Sequence, residues 1–158
     1  MTDQILPKMA KYISQALKQP LPPEVHLKTK FHLMDTLAAI VTGSALKPGK
    51  AAIKYISTQG GTPESTIACT AFRTTATNAA MVNAMLAHSN ETDDSHAPSL
   101  THPGCAVIPA AIAVAEREGS SGEDLIRSIA LGYDISSRIG RAMGGINSRG
   151  MHGHATHA

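Results

Sequence analysis

Histidine and carboxylate side chains cluster in the second half of this 158-residue chain, at spacings that suit acid–base chemistry. Histidine exchanges protons near neutral pH because its unperturbed pKa is about 6.5, and a nearby carboxylate orients the ring and fixes its tautomer. The pattern therefore predicts a site for proton transfer. The residues form two groups along the chain, which are His88, Glu91, Asp93, Asp94, His96 and His102, and then His152, His154 and His157.

Local chemistry leaves three interpretations of these groups open. In the first, the acidic residues form a solvated turn and the histidines have no chemical role. In the second, histidine and carboxylate side chains bind Zn, Mn or Fe. The spacings match no metal-ligand motif such as HExxH, so the sequence does not predict a metal centre. In the third, histidines of both groups meet across one cleft and catalyse metal-free acid–base chemistry.

Composition and charge exclude several classes of function. The net charge of +2 is too small to indicate nucleic acid or an anionic membrane as a partner. Only 3% of the residues are aromatic, and the sequence has no basic patch in which aromatic residues alternate with basic ones. This composition argues against RNA or single-stranded DNA as a partner. All eight lysines lie at or before Lys54, which excludes a Schiff-base lysine in the second half. The first residues lack the apolar stretch of a signal peptide, and Cys69 and Cys105 make no disulfide framework, so we expect a cytoplasmic protein.

The hydropathy pattern predicts a mainly helical domain that positions these groups. A core of small and aliphatic side chains favours close-packed helices over a β-sandwich. Apolar periodicity predicts helices near 5–17, 24–42, 51–56, 76–87 and 121–143, and residues 65–69 are the one candidate strand. The apolar run 106–115 predicts a further, buried helix that begins between Pro103 and Pro109. In the second helix, helical spacing predicts an apolar stripe formed by Leu27, Phe31, Met34, Ala38 and Val41. Leu33, Leu37 and Ile40 widen this stripe, which predicts burial on more than one side. Residues 89–102 lack periodicity, which predicts a loop.

Several motifs carry a family resemblance. The segment Asn83-Ala-Met-Leu-Ala-His-Ser-Asn-Glu-Thr-Asp-Asp-Ser95 is similar to an N-G-x-x-A-H-x-x-D-F-D-D-T pattern, and Thr101-His-Pro103 to an S/T-H-P element that follows it. Further matches follow in order at Val107-Ile-Pro-Ala110, Gly132-Tyr-Asp134, Arg138-Ile-Gly140 and Arg149-Gly-Met-His152. With these motifs the chain resembles the MmgE/PrpD family, which includes 2-methylcitrate dehydratase, cis-aconitate decarboxylase and iminodisuccinate epimerase.

The resemblance implies an all-α fold, in which residues 1–158 form the N-terminal part of the family's helical domain without its α+β lid domain. It implies a dimeric lyase or isomerase that acts on a small di- or tricarboxylate without a metal or organic cofactor. Dehydration, decarboxylation and epimerisation share a proton-transfer step, so the resemblance does not choose among them.

The resemblance also assigns roles to single residues. It makes His102 and His152 the acid–base candidates and Glu91 and Asp93 the carboxylates that act with them. Glu91 stands where the family usually has Asp, which lengthens the side chain by one methylene. We expect Asp94, Ser95 and His154 to bind substrate, with Ser95 in place of the family's Thr.

The family's active-site lysine lies beyond the part of the family that this chain matches. We therefore expect a C-terminal complementing polypeptide, as in a split enzyme, and a homo- or hetero-oligomer. The alternative is a non-catalytic helical domain that self-associates or binds a partner chain.

Overall fold

Helices dominate residues 4–143, the part of the chain that the computed structural model describes. The six helices of that part are α1 Ile5–Ala16, α2 Pro23–Ser44, α3 Lys47–Ile56, α4 Ala76–His88, α5 Pro103–Glu118 and α6 Gly122–Met143. Two short antiparallel strands, β1 Ser65–Thr66 and β2 Arg73–Thr74, pair with Ser65 opposite Thr74. The all-α prediction is confirmed. None of these helices combines the length and the apolar character that crossing a membrane requires.

Helix α4 lies at the centre of the fold and contacts α2, α3 and α5. Small residues allow the helices to approach closely, because a Cβ at Gly43 of α2 would overlap the backbone carbonyl of Leu86 in α4. The core around this contact contains the fully buried side chains Ile40, Ile56, Ile67, Val82 and Leu86. Close packing of this kind fixes the orientation of α4 and therefore the position of its last residue, His88, beside the following loop.

Most of the apolar stripe predicted to be buried on α2 is exposed, and of its residues only Ile40 is fully buried. Phe31, Met34 and Val41 are 53%, 64% and 61% exposed, and Leu27 and Ala38 are exposed as well. The buried face of α2 consists instead of small residues and one isoleucine, namely Thr29, Thr36, Ala39, Ile40 and Gly43. Small residues face the core because α4 approaches α2 too closely for larger side chains, so the large residues lie on the opposite face.

Local sequence signals explain where α5 and α6 begin. Helix α5 begins at Pro103, within the predicted range of 103–109, because proline at the first helical position has the helical φ and needs no hydrogen-bond acceptor for its nitrogen. Ser121 precedes α6, where its hydroxyl accepts a bond from the Asp124 N–H at 3.1 Å and donates to the Asp124 carboxylate at 2.6 Å. This reciprocal cap confirms the start predicted for the last helix.

The strands are fixed by one buried side chain of α4. Strand β1 falls within the predicted extended segment, whereas the sequence did not predict β2. The Asn83 amide, 4% exposed, accepts a hydrogen bond from the Ala68 N–H at 2.9 Å and donates to the Thr66 carbonyl at 3.0 Å. Asn83, the first residue of the longest motif, therefore ties the strand segment to α4.

Replacing Asn83 with alanine should lower the free energy of unfolding by about 1–3 kcal/mol, because it removes two hydrogen bonds of a buried side chain and leaves the partly buried Ala68 N–H and Thr66 carbonyl without this partner. Chemical denaturation of the purified variant measures the change. Asn90→Ala, at an exposed position, is the control and should stay within about 0.5 kcal/mol of the parent. Equal stability of the two variants would contradict the role assigned to Asn83.

Candidate functional site

The candidate site lies on the loop of residues 89–102, between α4 and α5. Glu91 and Leu100 have left-handed backbones, with φ of 49° and 56°. These two turns bend the chain sharply, and a bridge holds its ends, with the His96 N–H donating to the Thr101 carbonyl at 2.8 Å. Ser99 lies buried inside this bend, where its hydroxyl is 2.7 Å from the His96 Nδ1. The loop thus has a defined shape although it contains no helix.

Asp93 is the centre of a histidine–carboxylate cluster. Its side chain is completely buried. The Nδ1 atom of His88 lies 3.1 and 3.2 Å from its two oxygens, and the Nδ1 atom of His102 lies 3.6 Å from Oδ2. The two imidazole rings are 5.6 Å apart and meet edge to face. Helix α4 supplies His88 from its last turn and α5 supplies His102 as its N-cap residue, so the loop brings both rings to one carboxylate.

Asp94 makes a second set of contacts, directed toward the core. Its Oδ1 accepts a hydrogen bond from the Gly104 N–H at 2.9 Å, and its Oδ2 accepts one from the Tyr133 hydroxyl at 2.7 Å. The Nδ1 of His32 also lies 3.0 Å from Oδ2. Burial and the bond to Asp94 raise the pKa of Tyr133, so its hydroxyl keeps its proton and donates. One carboxylate therefore connects the loop to α2, α5 and α6.

The contacts around Asp94 leave no space for a side chain at Gly104. A Cβ on Gly104 would lie 2.6 Å from the Asp94 Oδ1 and 2.8 Å from the Tyr133 hydroxyl. Asp94 was predicted to bind substrate, and in the structure both of its oxygens accept hydrogen bonds from protein groups. His32 and Tyr133, which hold Asp94, carry no local sequence signal of such a role.

Cys105 is a further member of the Asp93 cluster that the sequence did not reveal. Its thiol donates to the His102 carbonyl at 3.2 Å. Burial, a hydrogen bond to Asp93 and the negative charges of Asp93 and Asp94 raise the pKa of Cys105 to about 12. One sequence signal could have shown that Cys105 lies near the cluster. Cys105 follows His102 by three residues, in the first turn of α5. His88, Asp93 and Cys105 each offer a potential metal ligand, and these atoms lie within 4.8 Å of one another.

We expect Cys105 to react with iodoacetamide far more slowly than the exposed Cys69 at pH 8. The thiolate is the reactive form, and a pKa of about 12 leaves Cys105 with roughly a thousandth of the thiolate of an ordinary thiol. Mass spectrometry of a time course measures the two sites separately. Denaturant provides the control, since unfolding should bring both rates together. Equal rates in the folded protein would contradict the contacts described for Cys105.

The remaining predicted site residues divide into two sets. Glu91 and Ser95 lie on the loop with exposed side chains, on either side of the buried Asp93. His152 and His154 lie outside the described residues, so the meeting of the two histidine groups across one cleft stays a prediction.

Comparison with known proteins gives two matches. The model of the MmgE/PrpD N-terminal domain matches residues 7–158. Cis-aconitate decarboxylase-like protein oryM of Aspergillus oryzae is 26% identical over 156 residues, which are 92% of this chain and 32% of that protein. The chain thus spans about a third of the length of the curated relative it matches.

Proposed function

Since this chain belongs to the MmgE/PrpD family through its N-terminal domain, we propose that it supplies part of the active site of a dehydratase- or decarboxylase-like lyase. Its substrate is a small di- or tricarboxylate, and cis-aconitate is the first compound to test because a relative is named for it. The family match and the motifs that include residues of the loop support this proposal.

The Asp93–His102 pair is the observation that carries the proposal. A carboxylate facing Nδ1 of an imidazole favours the tautomer with its proton on Nδ1, so that Nε2 is the nitrogen that takes or gives a proton. We assign that transfer to His102, at a carbon next to a substrate carboxylate or at a leaving group. His88, which contacts both Asp93 oxygens, holds the buried carboxylate in position.

The other site residues have supporting roles in this proposal. Exposed Glu91 and Ser95 contact substrate from the loop, His152 assists His102 as the second acid–base residue, and His154 binds substrate. Proton abstraction next to a carboxylate needs cationic groups over the developing negative charge. A complementing C-terminal polypeptide supplies these cations in our proposal, because all eight lysines lie at or before Lys54.

A direct assay tests the function. The native protein, purified from its source with any polypeptide that accompanies it, is incubated separately with cis-aconitate and with 2-methylcitrate. Proton NMR of the products distinguishes decarboxylation from dehydration, and loss of optical activity in a chiral dicarboxylate reports epimerisation. Turnover of one of these compounds supports the proposal, and inertness of the native complex toward all of them contradicts it.

The exposed apolar face of α2 favours a second candidate, a non-catalytic domain that associates with a partner. Phe31, Met34 and Val41 are each more than half exposed there. The native mass separates the two functions. A complex that contains a second, longer polypeptide favours the enzyme, whereas multiples of 16.5 kDa alone favour self-association without catalysis.

A further inference from the structure

From the arrangement of His88, Asp93 and Cys105, we propose a binding site for a divalent cation such as Zn²⁺, with these three side chains as its ligands. The ligand types agree with this class of metal. Zinc in proteins binds imidazole nitrogen, thiolate sulfur and carboxylate oxygen, while Mg²⁺ and Ca²⁺ prefer oxygen ligands alone. The site goes beyond the proposed function, and the binding of the metal does not depend on it.

The distances agree with a tetrahedral site. Zinc–ligand bonds of about 2.0–2.3 Å place tetrahedral ligand atoms about 3.3–3.8 Å apart. The His88 Nδ1 is 3.1 Å from the Asp93 Oδ1. The ligand atoms of His88, Asp93 and Cys105 lie within 4.8 Å of one another. Metal binding therefore requires movements of about 1 Å, which rotation about side-chain bonds provides.

The supporting structure holds the ligands before the metal arrives. His88 ends α4, and Cys105 stands in the first turn of α5, so two helices fix two of the ligands. Asp94 bonds the Gly104 N–H and thereby fixes the loop against the same turn of α5. Groups that hold the ligands in this way raise metal affinity, because less freedom is lost on binding.

The charges also balance. The Asp93 carboxylate and a Cys105 thiolate together neutralise the two positive charges of the cation. When the sulfur–metal bond forms, the thiol proton leaves to solvent, and no electron is transferred. The hydrogen bond from the thiol to the His102 carbonyl is lost in that step.

Occupation of this site excludes the chemistry proposed for Asp93 and His102. A metal on the Asp93 carboxylate replaces the contact that fixes the His102 ring, so the cation acts as an inhibitor and not as a cofactor. This consequence, unlike the binding itself, rests on the proposed function.

Cobalt(II) substitution tests the site. The native protein is treated with a chelator, desalted and titrated with Co²⁺, and Zn²⁺ affinity is then measured by competition with a chromophoric chelator. We expect one equivalent of Co²⁺ to give the near-ultraviolet band of a thiolate–cobalt bond and the intense visible bands of tetrahedral geometry. Cys105→Ser should remove the thiolate band and weaken Zn²⁺ binding at least about 10-fold, since even changes to groups around metal ligands typically cost 10–100-fold.

Matched variants separate this site from other sources of binding. Cys69→Ser removes the exposed cysteine and should leave the band and the affinity unchanged. His88→Gln should weaken binding as Cys105→Ser does, and circular dichroism verifies that each variant is folded. Absence of stoichiometric binding, or a thiolate band that survives Cys105→Ser, overturns the proposal. If Zn²⁺ binds at this site without inhibiting turnover, the metal site stands and the proposed roles of Asp93 and His102 fall.

Discussion

Replacing His102 with glutamine should lower the turnover number of the native enzyme about 10²- to 10⁴-fold, which is the usual contribution of a positioned acid or base. Glutamine keeps a polar group of similar length beside Asp93, so the fold survives while the ability to exchange a proton near neutral pH is lost. The measurement is kcat and KM with the best substrate found among the carboxylates. We expect kcat to fall and KM to change little, because the imidazole acts in the transition state.

Two further variants test this assignment. Asp93→Asn should lower kcat less than His102→Gln, because the imidazole remains and only its orientation and tautomer change; nitrogen NMR of the His102 ring should report that change directly. His26→Gln is the control, since His26 pairs with Glu123 at 3.1 Å on a different part of the surface. Turnover of His102→Gln within a few-fold of the parent would remove His102 from the mechanism.

Replacing Gly43 with alanine should lower the free energy of unfolding by about 3 kcal/mol, at the upper end of the usual cost of overpacking. A Cβ at this position overlaps the carbonyl of Leu86 in α4. Backbone cannot rotate away as a flexible side chain does, so α2 and α4 must separate and open the core around Ile40 and Leu86. Thermal or denaturant unfolding measures the loss.

Gly122→Ala is the matched control for Gly43→Ala. Nothing lies within 4 Å of a Cβ at Gly122, and this residue opens α6. Alanine costs less conformational entropy than glycine in a helix, so the control should be as stable as the parent or slightly more stable. Similar stability of the two variants would show that α2 and α4 do not make the close contact described.

Local signals sufficed for the helices but not for their packing. Apolar periodicity, together with one apolar run, predicted six helices near their observed places. The same periodicity pointed the large side chains of α2 toward the core, where the structure has Thr36, Ala39 and Gly43. Periodicity identifies an apolar face, whereas the separation between two helices decides whether that face or a small-residue face is buried. That separation depends on both helices, and so no single segment encodes it.

The residues of the candidate site were likewise predicted only where the signal is local in the sequence. Asp93 and His102 were predicted because they lie in one stretch whose composition and motif both point to proton transfer. His32, Cys105 and Tyr133 were missed, because their roles arise from contacts that the fold creates. Tyr133 is separated from Asp94 by 39 residues, and His32 lies on a helix near the start of the chain. These separations along the chain follow no helical or strand periodicity, so no sequence pattern links Tyr133 or His32 to Asp94.

The contacts of Asp94 have a consequence for the order of events during biosynthesis. The ribosome makes the N-terminal residues first, so α2 and the loop exist before α6 has been synthesised. The Tyr133 hydroxyl that bonds Asp94 at 2.7 Å is delivered only when α6 has formed and packed. We therefore expect the Gly104 amide to gain protection from hydrogen exchange in the same refolding phase as the amides of α6. In a growing chain, the histidines that surround Asp93 would then reach their working positions only once the last described helix is in place.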